Sequence, residues 1–163
     1  MVGQVNTMKR QNSSMQLTRA ADYGVRVMIH LAGLANNGRI SLPELAQATG
    51  APESFLSKVL QSLARAGLIT SRRGQLGGFH ITPRGAAASM REVIEAIDGP
   101  ICLNVCIIAG RSCTRKPRCV AHPVWVEAQK AMLGVLSSAT IASLAAPNAP
   151  TLSRIAPSAS VRM

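Results

Sequence analysis

Leu56–Thr82 reads LSKVLQSLARAGLITSRRGQLGGFHIT, and this stretch decides the fold of the chain. In its first half, large apolar residues recur every three or four positions, which predicts an amphipathic helix that begins around Pro52. Gly67 then supplies a left-handed C-cap. Two β-prone runs, Leu68–Arg72 and Phe79–Thr82, flank a glycine-rich loop and predict a β-hairpin. The inward-facing residues of the helix are Leu56, Val59, Leu60 and Leu63.

Two further helices are predicted upstream of this stretch. Thr18 is the expected N-cap of a first amphipathic helix, which ends near Gly38. Ser41 and Glu44 form a capping box for a short second helix that stops at Gly50. Two helices around a glycine turn predict a helix-turn-helix, and the hairpin that follows them makes it a winged helix.

The downstream half contains a fourth helix, capped by Ser89 and closed by Gly99, and then a cysteine-rich segment without periodicity. Another helix begins at Pro123, and its apolar residues repeat at close to 3.5-residue spacing over about four turns. Such a helix needs a partner helix. The predicted fold is therefore mainly α with a small β-hairpin wing: a winged helix-turn-helix plus a long C-terminal dimerisation helix. The predicted dimerisation residues are Trp125, Ala128, Met132, Val135 and Leu136.

Composition points to a polyanionic partner. The 163 residues include 18 Lys and Arg against 7 Asp and Glu, a formal net charge of +11. Such a charge favours nucleic acid or an anionic surface. No apolar stretch reaches the ~18 residues of a membrane span, which excludes an integral membrane protein. No secretory signal peptide is recognisable, so we expect a cytoplasmic protein in a reducing compartment.

The expected partner is double-stranded DNA. The helical period turns the polar residues of the third helix outward, where Ser, Gln and Lys side chains can reach base edges or phosphates. The alternative is an ordinary solvated face. The adjacent wing favours DNA, because two arginines and bare glycine backbone can approach the phosphates or the minor groove. A dimer of this class reads an inverted-repeat operator. The candidate DNA-binding residues are Glu53, Ser54, Ser57, Lys58, Gln61, Arg72, Arg73, Gly77 and Gly78.

The four cysteines are the candidate metal ligands. They are spaced Cys102-x3-Cys106-x6-Cys113-x5-Cys119, and His122 follows. No gap is the two-residue knuckle of zinc fingers, and longer gaps suit an iron-sulfur cluster better. A zinc site and metal-free, redox-active thiols remain the alternatives, because spacing alone does not settle the choice. The basic residues between the thiols would favour thiolates and offset the negative charge of a cluster.

An enzyme is not expected. The chain has no Cys-x-x-Cys at a helix start, no nucleophile and base at a suitable spacing, and no phosphate-binding loop. The expected organisation is a disordered leader (1–14), a winged-helix DNA-binding domain (15–100), a cysteine-rich cluster-binding loop (101–122), a dimerisation helix region (123–146) and a disordered tail (147–163). Either Met1 or Met15 is the start of translation.

Four segments together resemble the IscR/NsrR-type (Rrf2) family of dimeric bacterial winged-helix transcription regulators. The resemblance extends from about Met15 to Ala146. It implies a cytoplasmic homodimer whose C-terminal helix crosses to the partner, and a cysteine loop that in many members holds an iron-sulfur cluster. That cluster senses nitric oxide, redox state or cluster supply. The segments are MQLTRAADYGVR (15–26), the quoted 56–82 stretch, VIEAIDG (93–99) and CVAHPVW (119–125).

The resemblance also implies a ligand set. Cys106, Cys113 and Cys119 match the three cysteines of the family's loop, although the first gap is six residues here and four or five in well-known members. His122 matches the histidine that completes a two-iron cluster in the iron-sulfur-supply branch. Asp22 matches the partner-chain aspartate that serves in the nitric-oxide branch. We rank His122 first and the extra thiol of Cys102 second, and the implied cofactor is a 2Fe-2S or 4Fe-4S cluster. The structural alternatives are a helix-capping His122 and a first-turn Asp22 favoured by the helix dipole.

Overall fold

The computed structural model describes residues 17–34, 38–72, 74, 77–108 and 113–147. Over these residues the chain is mainly helical and has one two-stranded antiparallel hairpin, as the sequence predicts. The predicted leader, the tail beyond residue 147 and Arg73 lie outside the described residues. The elements are α1 (Arg19–Gly33), α2 (Leu42–Thr49), α3 (Glu53–Arg65), β1 (Ile69–Arg72), β2 (Gly78–Ile81), α4 (Pro83–Ala87), α5 (Met90–Asp98), α6 (His122–Ser138) and α7 (Ile141–Ala145), with 3-10 turns at Val105–Ile107 and Lys116–Arg118.

Side-chain caps define where the helices begin. The Thr18 hydroxyl accepts a hydrogen bond from the Ala21 amide at the start of α1. Complete capping boxes start α2 and α5, each with a serine at the N-cap and a glutamate three residues later. Each box satisfies amides that a helix N-terminus leaves unpaired. The predicted starts of these helices are confirmed, but α1 ends at Gly33, about a turn before Gly38, because the backbone is already extended at Leu34.

The core lies between α1, α3 and α5. The four apolar residues predicted to face inward on α3 are at most 2% exposed. On α1 the side chains of Val27, Met28 and Leu31 are buried to the same degree. Gly24 allows α5 to approach closely, because a β-carbon there would overlap the Ile97 side chain. None of the helices in the described ranges is long and apolar enough to cross a membrane.

A segment outside the hairpin also pairs with it. β1 and β2 pair antiparallel from Ile69 opposite Ile81 to Arg72 opposite Gly78. Ile40, in the segment before α2, forms a bridge with Phe79: its amide donates to the Phe79 carbonyl at 3.1 Å, and the Phe79 amide donates back at 2.9 Å. The wing, which we define as β1, β2 and the loop between them, is therefore attached directly to the helix-turn-helix.

Two helices were not predicted. α4 follows the wing, and α7 follows α6 after a break at Ala139 and Thr140. The chain returns there to the start of α5, since the Met90 amide donates to the Ala139 carbonyl and the Ile141 amide donates to the Ala88 carbonyl. Ile141 is fully buried and α7 packs on α1 and α4. The end of the 123–146 region thus packs on α1 and α4 and does not extend the long helix.

Candidate DNA interface and cysteine loop

A cleft of about 560 Å³ lies between α3 and the wing. One wall is formed by α3, the other by the two strands, and Ser41 and Leu42 at the start of α2 close one end. Helix and strand side chains that were predicted separately therefore line one cleft. The predicted DNA-binding residues among its lining are Ser57, Gln61, Arg72, Gly77 and Gly78.

The outward face of α3 is available for contact. Glu53, Ser54, Lys58 and Gln61 are all exposed. Ser57 is half-buried and its hydroxyl donates to the Glu53 carbonyl at 3.0 Å, so its oxygen can only accept from a DNA donor. Lysine and glutamine can instead donate to phosphates or base edges. The face has the mixed donor and acceptor character that groove reading needs.

The junction between α3 and the wing is fixed by α4, which sequence reasoning missed. The Arg84 guanidinium donates to the Ala66 carbonyl at the end of α3. The Thr82 hydroxyl donates to the Gly67 carbonyl at 2.8 Å and caps α4 by accepting from the Gly85 amide. The bond from Arg84 occupies a carbonyl that the C-terminus of α3 leaves free, and the bond from Thr82 holds the turn that follows it. The Thr82-Pro83 pair, an N-cap followed by a first-turn proline, was the sequence signal that could have revealed it.

Electrostatics keep the edge of the cleft ordered. Hydrogen bonds from the Ser41 hydroxyl and then from its backbone amide lower the pKa of the Glu44 carboxyl below its ordinary value. The hydroxyl donates at 2.6 Å and the amide at 2.8 Å. Glu44 therefore stays ionised and fixes the start of α2 beside the cleft.

The first half of the cysteine loop (residues 101–122) is docked on α6. Gln129 contacts the backbone on both sides of Cys102: its amide nitrogen donates to the Ile101 carbonyl at 2.6 Å, and its oxygen accepts from the Leu103 amide at 2.9 Å. Cys106 follows in the first 3-10 turn, and the neighbouring Ile107 lines a groove between α5 and α6. Both thiols are half-buried. This half has more regular structure than the predicted loop.

The second half of the loop continues directly into α6. The Lys116 amide donates to the Cys113 carbonyl, and the His122 amide donates to the Cys119 carbonyl, so two consecutive turns precede the helix. His122 is the first residue of α6, and its side chain does not cap the helix. Its Nδ1 atom is buried and has no hydrogen-bond partner among the residues that the structure describes. A buried polar atom of this kind calls for an explanation, and a ligand is one.

The types of donor atom in the loop fit an iron-sulfur cluster, but the described residues do not bring these donors close together. All four cysteines are free, half-buried thiols, and the unpartnered imidazole nitrogen lies in the same loop. Within residues 17–34, 38–72, 74, 77–108 and 113–147, however, no three His, Cys, Asp or Glu side chains lie close enough to hold one metal ion. Asp22 lies on α1 and pairs with Arg26 at 3.0 Å. The ligand set remains a prediction.

Most of the surface of the long helix α6 is exposed. Of its 17 residues, only Gln129 is buried, at 9% exposure. Among the predicted dimerisation residues, Ala128 and Val135 are exposed and Trp125 and Met132 are half-buried. Leu136 packs against the core of its own chain, so part of its surface is already used. An apolar helix this exposed is typical of an interface with another chain.

Comparison with known proteins identifies the family. The model of the Rrf2 family, described as an iron-dependent transcriptional regulator, matches residues 17–147. The chain belongs to the Rrf2 family. This Rrf2 protein is 32% identical over 131 residues to an HTH-type transcriptional regulator of Mycobacterium tuberculosis, covering 80% of this chain and 81% of the relative. It is thus a DNA-binding transcription regulator, and the family resemblance of the sequence is confirmed.

Solved structures agree with the fold of this Rrf2 regulator. CymR, the global cysteine regulator of B. subtilis, superposes with a TM-score of 0.65 at 28% identity, over 80% of this chain and 95% of that one. IscR of T. potens superposes with a TM-score of 0.61 at 25% identity, over 78% and 83%. The winged-helix assignment is therefore confirmed.

Proposed function

We propose that this Rrf2 regulator is a cytoplasmic homodimer that senses iron-sulfur, redox or nitric-oxide status through a cluster bound by its cysteine loop. The observation that carries the proposal is the donor set of that loop: half-buried thiols together with a buried His122 Nδ1 that has no hydrogen-bond partner in the described part of the chain. Soft thiolates with an occasional histidine are the ligands that iron-sulfur clusters take.

The proposed ligands are Cys106, Cys113, Cys119 and His122, for a 2Fe-2S or a 4Fe-4S cluster. When bound, the cluster supplies a redox-active and nitric-oxide-reactive group. Cys102 is the alternative fourth ligand, because it lies in the same docked half of the loop as Cys106. Asp22 is less well supported, since its carboxylate already pairs with Arg26 on the surface of α1. The exposed Arg115, Lys116 and Arg118 would offset the negative charge of the cluster.

DNA binding uses the cleft between α3 and the wing. In the proposed complex α3 enters the major groove of one operator half-site and the wing follows the adjacent backbone. A dimer formed through α6 presents two such surfaces, so the operator is an inverted repeat. The two DNA-binding domains of the dimer can adopt two relative arrangements that differ in operator affinity. A bound cluster changes that affinity only if its own binding free energy differs between the two arrangements, typically by ~1 to 3 kcal/mol.

Anaerobic purification tests the cluster. We expect a coloured protein that contains iron and acid-labile sulfide, and a Cys113→Ala variant that loses both. Val120→Ala, at a residue of the same loop that is 92% exposed, is the control, and Cys102→Ala tests the alternative fourth ligand. His122→Ala and Asp22→Ala, compared for the shape of the absorption spectrum, identify the fourth ligand. A colourless, iron-free wild type that still binds DNA contradicts the cluster.

The second candidate function is sensing by the thiols themselves or by a zinc ion, on the same fold. The four free thiols favour sensing by the thiols themselves, whereas the lack of any group of three donors within the described part of the chain counts against a zinc site as much as against a cluster. The similarity to CymR, a global cysteine regulator, supports sensing by the thiols as well. Metal analysis separates zinc from iron. Loss of titratable thiols after diamide treatment, together with a changed operator affinity of the iron-free protein, would establish thiol sensing.

A further inference from the structure

Gln129 holds an unusual position for a polar side chain. It is the one buried residue among the 17 of α6, all of which the structure describes, and both ends of its amide are hydrogen-bonded. A primary amide can donate to one backbone group and accept from another at once, which aliphatic side chains cannot do. We call these two bonds, to the Ile101 carbonyl and from the Leu103 amide, the Gln129 bridge.

The Gln129 bridge fixes the docked half of the cysteine loop to two helices. The two bonds lie on either side of Cys102 along the backbone. The chain then continues to Cys106 in the 3-10 turn that packs on α6. On the opposite side, the Ile101 amide donates to the Glu95 carboxylate of α5 at 3.3 Å. The start of the loop is therefore held between α5 and α6 by hydrogen bonds from both.

The other half of the loop is coupled to α6 by chain continuity, since Cys119 is three residues from the first residue of the helix. Any bond that joins Cys106 to Cys113 or Cys119, through a cluster or directly, therefore closes a ring that includes α6. A change of bonding in this ring moves α6 only if the Cys102–Cys106 half of the loop stays fixed to that helix. α5 in turn packs on α1 and on the recognition helix α3.

We propose that Gln129 is a positioning residue for sensing: it makes the Cys102–Cys106 half of the loop move with α6, so that a change in bonding among the thiols reaches the DNA-binding surface. This role rests on the proposed function, since it needs a loop whose bonding changes. It predicts that loss of the Gln129 bridge uncouples the operator affinity from the state of the loop while the basal affinity is retained.

The test uses the full chain and two variants. Gln129→Leu removes both hydrogen bonds at similar volume, and Gln129→Glu keeps the acceptor for the Leu103 amide but loses the donor to Ile101. Glu127→Leu, an exposed change on the same helix, is the control. Each protein is assayed with a fluorescent operator fragment selected from random-sequence DNA, once metal-free and reduced and once after anaerobic treatment with ferric iron and sulfide.

Two readouts are compared. Hydrogen exchange of the Leu103 amide in the metal-free protein should be about tenfold faster in Gln129→Leu, as expected for one lost hydrogen bond. The ratio of operator affinities between the two states should be about 5- to 150-fold in the wild type and fall below about 2-fold in Gln129→Leu. Gln129→Glu should retain slow exchange at Leu103 and an intermediate ratio, and the control should match the wild type.

The outcomes separate the two proposals. Unchanged exchange at Leu103 overturns the Gln129 bridge itself. Faster exchange with a wild-type ratio overturns its role in sensing. If Gln129→Leu does not fold, a wild-type ratio in Gln129→Glu overturns the role in the same way. A wild type with no difference between its two states overturns the proposed function and this role together, and is recognised because the failure occurs without any substitution.

Discussion

Gly78 shows what a single residue contributes to the wing. Its φ of 141° lies in a region that other residues rarely adopt, and a β-carbon there would lie 2.7 Å from the Ile40 carbonyl oxygen. The sequence suggested that the bare glycine backbone of the wing is approached by DNA. In the structure, the backbone that approaches Gly78 belongs to Ile40 of the same chain, and a role in DNA contact remains a prediction.

Gly78→Ala should therefore loosen the wing. We expect the free energy of unfolding to fall by about 1 to 3 kcal/mol from backbone strain, more if the Ile40 segment cannot move, together with a weaker operator affinity. Urea denaturation and a DNA-binding titration measure the two effects. Gly33→Ala is the control, because a β-carbon there would have no atom within 4 Å and its φ is ordinary. Wild-type behaviour of Gly78→Ala would show that Ile40 does not constrain the hairpin.

The Glu92 capping box predicts a dependence of stability on pH. The Ser89 amide and then its hydroxyl donate to the Glu92 carboxylate at 2.8 and 3.0 Å and lower its pKa below the ordinary 4.5. Because the pKa is lower in the folded state, the stabilisation is fully present above about pH 4.5 and is lost as the pH falls through the folded value.

Glu92→Gln should remove this part of the acid sensitivity. Urea denaturation between about pH 6 and pH 3 would then show a shallower loss of unfolding free energy than the wild type. Glu127→Gln, an exposed carboxylate outside both capping boxes, should leave the pH profile unchanged. Equal pH profiles for the wild type and Glu92→Gln would exclude a contribution from this carboxylate.

The helices and the hairpin that were predicted from the sequence are those whose ends carry a local sequence signal. α1, α2, α3 and α5 begin at polar or proline N-cap positions, and the hairpin follows a glycine-ended helix, so each has a signal within a few residues. α4 and α7 have five residues each, too few for the hydrophobic periodicity by which the other helices were recognised, although the Thr82-Pro83 pair marks the start of α4. The Gln129 bridge joins residues 26 and 28 positions apart, which only tertiary packing determines.

The wing predicts a charge-dependent contribution to DNA affinity. Arg72→Ala should weaken binding to all DNA sequences by a similar factor and lower the slope of log affinity against log salt by about one, because one phosphate contact is lost. Titrations at several salt concentrations measure the slope. Lys130→Ala removes the same charge from α6 and should leave the slope unchanged. An unchanged slope for Arg72→Ala would exclude this arginine from the interface.

α7 should stabilise the DNA-binding domain although it lies at the other end of the chain. Ile141 is fully buried against the core, so Ile141→Ala should cost about 2 to 5 kcal/mol of unfolding free energy. Urea denaturation at a fixed protein concentration measures this cost. Val120→Ala, at a residue 92% exposed, should change the free energy by less than about 0.5 kcal/mol. A similarly small change for Ile141→Ala would mean that α7 does not support the core.

For the whole molecule, the exposed face of α6 predicts a dimer. Val135→Glu places a charge on the predicted interface, where its desolvation is unfavourable, and should yield a folded monomer with weaker affinity for a two-half-site operator. Sedimentation measures the molecular mass and circular dichroism the fold. Lys130→Glu introduces the same side chain off the predicted interface and should remain dimeric. A dimeric Val135→Glu protein would move the interface elsewhere.

The return of the chain at Ala139 and Ile141 has a consequence for biosynthesis. Among the described elements α1 leaves the ribosome before all others, yet part of the core it packs against is α7, the last of them. The DNA-binding domain therefore cannot complete its core until nearly the whole described chain has been translated. A polypeptide released before Ile141 lacks α7 and the hydrogen bond from the Ile141 amide to the Ala88 carbonyl, so we expect it to be less stable and to bind the operator more weakly than the chain that includes α7.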